Sequence, residues 1–329
     1  METALDLSRW REAPRGVGYR RWVILSTGLR QILATRFFKI LIYVAWLGGV
    51  LIAAGGFLFS QTVTSGGWLE GLVSDLGPRP EAWVKALGAL VVMYPDICVS
   101  GVFTVIFWLH SFLGLTLCLI ALTVVVPQLI ARDRASHAMT IYLSRPLTSA
   151  DYLLGKFGMV VGLLLVLWTG PLLAGWGLSM ALSSDRDFIV HSIQPLLRAL
   201  LFNGLALAVL APLAIGVSAL GRSSRVVIGL WIGLWLVGGA VAKFPNSPGW
   251  LRHASFTANL AEVRLTVLPV DQALSDAATK LPFLDANLKR NLERTATLTR
   301  PKEFRGAVAG LGLLVLLSSG ICLRRLRAE

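Results

Sequence analysis

The sequence predicts an all-α membrane protein. It reads as six transmembrane helices, with an N-terminal cytoplasmic interfacial (elbow) helix and a helical outer segment between spans 5 and 6. Three observations predict this. Of 329 residues, 55% are hydrophobic and only 15% are charged, against about 25% charged in an ordinary soluble domain. That is too little polar surface to cover a single soluble core of this size. Six apolar runs reach, or nearly reach, the roughly 20 residues that cross about 30 Å of hydrocarbon. The net charge of +13 gathers beside those runs.

The first element is Tyr19–Arg36, where Trp22, Leu25, Leu29, Ile32 and Leu33 fall near helical spacing with Arg20, Arg21, Arg30 and Arg36 between them. Such a helix lies in a membrane interface, its apolar face in lipid and its arginines in water. The six spans follow at about Phe38–Phe59, Val102–Pro127, Phe157–Leu182, Leu197–Leu220, Val226–Val241 and Ala307–Leu323. Ala82–Met93 is apolar but too short to cross, and Pro95 interrupts its extension into the second span. Within 244–305, Leu281, Leu284, Leu288 and Leu292 recur at three- or four-residue steps among charges, the pattern of an amphipathic helix. Leu260, Val263, Leu265 and Val267 suggest a second. The segment therefore reads as a small helical cap on the outer face, over an exit path or docking a partner.

The basic residues orient the chain. Eight Lys or Arg lie between Arg9 and Lys39, and Arg324, Arg325 and Arg327 follow the last run. With Arg132, Arg134, Arg145, Lys156, Arg222 and Arg225 they mark one side, which the positive-inside bias makes cytoplasmic. Both termini are then cytoplasmic in the cell (inner) membrane. The segment from Lys243 to Arg305 carries ten basic and six acidic residues, but long loops translocate largely regardless of charge. Basic clusters hugging spans suit anionic membrane lipid. No basic stripe interleaved with aromatics stands away from them, which argues against nucleic acid as a partner. Cys98, Cys118 and Cys322 are scattered and form no metal or disulfide pattern.

The spans contain no Asp or Glu in their apolar cores, where ion-driven carriers commonly keep acids. His110 and Ser111 are adjacent, so on a helix they do not face each other as a catalytic dyad; His110 reads as a polar contact between helices. Gly155-Lys156 lacks the remaining residues of a phosphate-binding loop. The chain thus carries no nucleotide or metal site of its own and is not an enzyme by itself; energy must come from a partner.

One polar segment stands out between spans 2 and 3: "ARDRASHAMTIYLSRPLTSADYLLGKF", Ala131 to Phe157. Pro146 disfavours helix at Arg145 and fixes a turn. Thr148-x-x-Asp151 has the form of a capping box, so a new helix starts near Ala150 and runs into the third span. The product is a helix–turn–helix knuckle whose arms continue into two spans. At Asp133 and Arg134, Leu143 to Leu147, and Tyr152 to Lys156, the segment resembles the cytoplasmic segment of ABC-2 type transporter permeases. The resemblance is to the branch with gliding-motility and copper-enzyme-maturation permeases.

The resemblance implies a single ABC-2 type transmembrane domain over 1–329, with elbow 19–36, coupling segment 131–156 and extracytoplasmic segment 244–305. It implies two cytoplasmic ABC ATPase subunits, which hold ATP and Mg, and a second permease protomer in a homo- or heterodimer. The coupling residues it points to are Asp133, Arg134, Ser144, Arg145, Pro146, Leu147, Tyr152, Gly155 and Lys156. Arg134 and Arg145 would dock polar groups, with Leu147 and Tyr152 filling the ATPase groove. The later spans of this family are usually joined by a short outer re-entrant segment, here replaced by about 60 residues. From spacing alone, Gly48, Gly49, Gly229 and Gly233 permit close helix approach between protomers. The alternative reading is an ATPase-independent secondary carrier or channel, or a membrane scaffold holding an extracytoplasmic partner.

Overall fold

The computed structural model describes residues 16–64, 68–135, 148–183, 186–221, 223–241, 249–281 and 286–327. Every regular element among them is a helix. Five helices are long and apolar enough to cross a membrane: Arg36–Gln61, Pro95–Arg134, Ser149–Leu182, Arg186–Leu220 and Phe304–Arg325. The expected span at 226–241 does form a helix, but its apolar stretch is only Ser224–Ala240. At 1.5 Å per residue that is about 26 Å, short of the hydrocarbon thickness.

In chain order, α1 is Val17–Leu33, α2 Arg36–Gln61, α3 Trp68–Ser74, α4 Pro78–Met93, α5 Pro95–Leu129 and α6 Ala131–Ala135. Next, α7 covers 149–182 and α8 is Arg186–Leu220, while α9 covers 224–241. The remaining helices are α10 Gly249–Ala254, α11 Phe256–Val267, α12 Val270–Lys280, α13 Ala286–Thr299 and α14 Phe304–Arg327. Both α7 and α9 contain a wide π turn, at Leu165–Thr169 and Gly233–Val237. As the sequence indicates, Pro95 ends the extension of α4: Tyr94 leaves helical geometry and Pro95 opens α5, a first-turn position where its missing N–H costs nothing.

The elbow helix forms, and of the face read in the sequence Leu25, Leu29, Ile32 and Leu33 pack inward while Trp22 does not. Ile24, Leu25, Gly28 and Leu29 lie against Gly155, Gly158, Met159 and Gly162 of α7, while Trp22 stays 60% exposed. Farther on, Trp46 of α2 meets Gly170. Between those contacts the α1–α2 side uses 17 residues and α7 uses eight, about 25 Å of helix against about 12 Å. The excess is taken up by a bend at Ala34–Thr35, where the Thr35 hydroxyl donates to Ile32 O at 2.9 Å.

Glycines set how α2 enters the bundle. A Cβ on Gly49 would lie 2.6 Å from Pro171 O, and one on Gly175 would lie 2.4 Å from Gly49 O. On the adjoining face, Gly48 meets Leu113 and His110 of α5. The two glycines therefore seat α2 between α5 and α7 of the same chain, with backbone against backbone. Gly114 of α5 does the same for the fully buried Trp168, whose ring packs edge-on to Phe202 of α8. His110 is buried with Nε2 3.4 Å from Trp168 O, an interhelical polar contact as its sequence position suggests.

The segment after α9 differs from the outer cap expected of it. Phe256, Leu260 and Val263 of α11 are buried. Phe256 packs on Trp231, whose indole N–H donates to Leu119 O of α5 at 3.3 Å. Asn259 lies against Gly310 of α14. This piece is built into the bundle beside the apolar helices because its hydrophobic side chains find partners there. Only α12 and α13 remain outside it as a packed pair, with Ala273 of α12 near Gly101 of α5. The later amphipathic stretch is helical over Ala286–Thr299, with Leu288 and Leu292 within it. Leu281 is instead the buried cap of α12, and Leu284 lies outside the described residues.

Gly175→Leu should separate α2 from α7, because the added side chain meets backbone rather than a movable rotamer. We expect a loss of roughly 1–3 kcal/mol, read as a lower unfolding temperature in detergent. Gly177→Leu, where a Cβ meets nothing within 4 Å, should leave the midpoint near the parent's.

Candidate functional site

The knuckle is rooted in a break between two helices. Pro127 brings no N–H to the last turn of α5, and Ile130 interrupts the helix before α6 resumes at Ala131. A break of this kind strands backbone donors and acceptors that must find partners when buried. The Ser218 hydroxyl of α8 accepts from Ile130 N at 2.9 Å and Ala131 N at 3.3 Å. The Tyr152 hydroxyl of α7 lies 3.1 Å from Leu129 O and 2.6 Å from an Asp133 carboxylate oxygen.

Charges complete the joint. Lys156 pairs with Asp133 at 2.7 Å, both side chains mostly buried, and its ammonium stands 5.4 Å from the Tyr152 ring centre. Arg134 donates to Ala219 O of α8 at 3.2 Å. On the other arm, Thr148 and Asp151 form the reciprocal capping box that the sequence indicates. Asp151 also accepts from Arg21 of α1, from Nε at 2.8 Å and Nη2 at 2.5 Å. One small region thus ties α1, α5, α6, α7 and α8 together. Between α1 and this joint lies a cavity of about 590 Å³, with Gln31, Gln128, Arg132, Asp133 and Lys156 on its polar side.

Residues 110–244, less than half of the chain, match the family described as ABC-2 family transporter protein. Over that stretch the chain is similar to ABC-2 transporters. No curated protein matches the chain. The matched stretch contains the whole segment 131–156, the later part of α5, and α7 and α8, but not α1. It bears out the resemblance carried by Asp133, Arg134 and Tyr152 to Lys156, and with the long apolar helices it supports a multi-pass transporter component.

Within this ABC-2 stretch the structure sorts the candidate coupling residues. Asp133, Arg134, Tyr152 and Lys156 converge on the joint. Ser144, Arg145, Pro146 and Leu147 lie outside the described residues. Tyr152 was expected to fill an ATPase groove, but it is 2% exposed with its hydroxyl engaged inside the chain. It braces the root instead. Gly155 receives the Ile24 side chain of α1, and Arg134 faces the end of α8. Of the four glycines read as protomer contacts, Gly48 and Gly49 are occupied by helices of their own chain. Nothing lies within 4 Å of a Cβ at Gly229 or Gly233.

Sequence reasoning missed Ser218 and the Arg21–Asp151 pair. Ser218 is one small residue among many in α8, and no local pattern marks it as the acceptor for a distant helix break. Arg21 carries an interfacial pattern that conceals a specific carboxylate partner.

Ser218→Ala should strand two buried N–H groups and cost about 1–3 kcal/mol, whereas Tyr152→Phe should cost about 1 kcal/mol. Thermal unfolding of the purified protein measures both. Equal midpoints for parent and Ser218→Ala would show that the joint does not depend on that hydroxyl.

Proposed function

We propose that the chain is the transmembrane permease subunit of an ATP-driven ABC transporter, working as an exporter or mechanotransmitter. Two cytoplasmic ATPase subunits would hold ATP and Mg, and a second permease protomer would complete the path. The observation that carries this reading is the joint at Ile130. Both arms of the segment 131–156 are tied at their roots to α1 and α8 as well as to each other. A force on its tip would reach α5, α7 and α8 together rather than being lost in a loose loop.

In this reading Arg145, Pro146 and Leu147, with Ser144 beside them, present the tip to the ATPase groove. Asp133, Arg134, Tyr152 and Lys156 keep the root stiff, and Gly155 admits α1. The exposed Gly229 and the open position at Gly233 leave one face of α9 available to the second protomer. Both termini and the knuckle would be cytoplasmic in the cell membrane, with α12 and α13 on the other side.

Two experiments test this. Leu147→Asp and Arg145→Glu should insert and fold normally but lose a co-purifying P-loop ATPase, or lose transport-linked hydrolysis. Full retention of both would remove the coupling role. With Cys98, Cys118 and Cys322 replaced by Ala, single cysteines at Ser144 and Ser275 should react with impermeant reagent from opposite faces of sealed vesicles. Labelling from the same face would overturn the orientation.

A further inference from the structure

Arg264 of α11 is the buried charge that the permease reading leaves unused. Its side chain is only 6% exposed. The guanidinium carbon stands 3.4 Å from the Phe112 ring centre and 6.0 Å from that of Trp108, both on α5. Stacking on aromatic faces holds a guanidinium in place, but it does not use its N–H groups. The Arg264 Nε and the neighbouring Trp108 Nε1 are both buried without a hydrogen-bond partner.

Three acids of the same segment are engaged elsewhere. Glu262 accepts from Lys302 N, Asp276 pairs with Lys280, and Glu303 faces Arg252 and His253. Among the described residues, no carboxylate neutralises Arg264. A guanidinium keeps its charge throughout the ordinary pH range. Beside apolar helices an uncompensated charge is costly, and such residues usually mark a site for a ligand or ion.

The surroundings say what kind of ligand fits. Two unpartnered donors, one of them on a cationic side chain, lie beside an α5 face on which Leu109, Phe112 and Thr116 are exposed. Leu109 and Phe112 are 56% and 40% exposed. We propose that Arg264 and Trp108 form a headgroup site for a phosphate-bearing amphiphile, whose chain lies along Leu109, Phe112 and Thr116. Guanidinium matches phosphate oxygens by parallel charge-assisted hydrogen bonds, the indole N–H adds one neutral donor, and the apolar strip receives the tail. The site goes beyond the permease reading. It needs only a chain seated in a membrane, so it stands or falls separately from ATPase coupling.

The test uses the whole protein purified in dodecyl maltoside and titrated with dodecyl phosphate by isothermal calorimetry. Inorganic phosphate and dodecyltrimethylammonium form separate arms. Saturable binding of dodecyl phosphate is expected, with neither of the other two binding comparably. Arg264→Gln should weaken it about ten-fold or more, the factor associated with one charge-assisted hydrogen bond. Trp108→Phe keeps the ring and should weaken binding by a smaller factor of about five; it serves if Arg264→Gln does not fold. Unchanged affinity in either folded variant overturns the site, as does absence of dodecyl phosphate binding to the parent. Equal binding of inorganic phosphate overturns the amphiphile assignment, and equal binding of the ammonium amphiphile overturns the headgroup assignment.

Discussion

The interruption of α5 at Ile130 is the constraint around which the rest of the molecule is arranged. A helix that stops and restarts leaves N–H groups on one side of the break and C=O groups on the other. Away from water each needs a partner. Here Ser218 of α8 takes two of the donors, and Tyr152 of α7 meets a carbonyl. The break is thereby converted from a weak point into a junction. The end of α5 and the start of α6 are held in register with α7 and α8.

The same junction explains why α1 sits where it does. Its apolar residues fill notches left by Gly155 and Gly158, and Arg21 closes on the carboxylate that already caps α7. The capping box and the ion pair share Asp151, so the start of α7 and the position of the elbow are set by one side chain. A charge-assisted bond to a helix-capping carboxylate satisfies the first-turn donors and holds the cation together. Further along, the Gly49–Gly175 contact seats α2 on the other half of α7. The elbow between α1 and α2 is the geometric result of two fixed docking points on one neighbour, α7.

The segment between α9 and α14 shows how burial divides a stretch that is uniform in length but not in composition. Phe256, Leu260 and Val263 enter the bundle, whereas the charged faces of α12 and α13 stay outside it. Arg264 sits at the boundary between these two regimes. The aromatic faces of Trp108 and Phe112 keep it from withdrawing to water, and this is what gives an isolated cation a fixed address.

Much of this architecture was legible in the sequence. Run lengths located the apolar helices, Pro95 and the Thr148–Asp151 cap marked helix starts, and Leu143 to Leu147 with Tyr152 to Lys156 carried the resemblance to ABC-2 permeases. These signals are local: they depend on periodicity, on proline's missing donor and on the capping preferences of a few residues. What the tertiary structure alone decided is which partner each residue meets. Tyr152 and Gly155 turn inward, Gly48 and Gly49 serve their own chain, the fifth apolar run is too short to count among the long helices, and 256–267 packs inside the bundle. The sequence by itself determined that apolar helices would form and, at Pro95 and Thr148, where two of them would start. Ser218 against Ile130, Arg21 against Asp151 and Arg264 against Phe112 join residues far apart in the chain, and no spacing rule encodes a contact that exists only once the helices have packed.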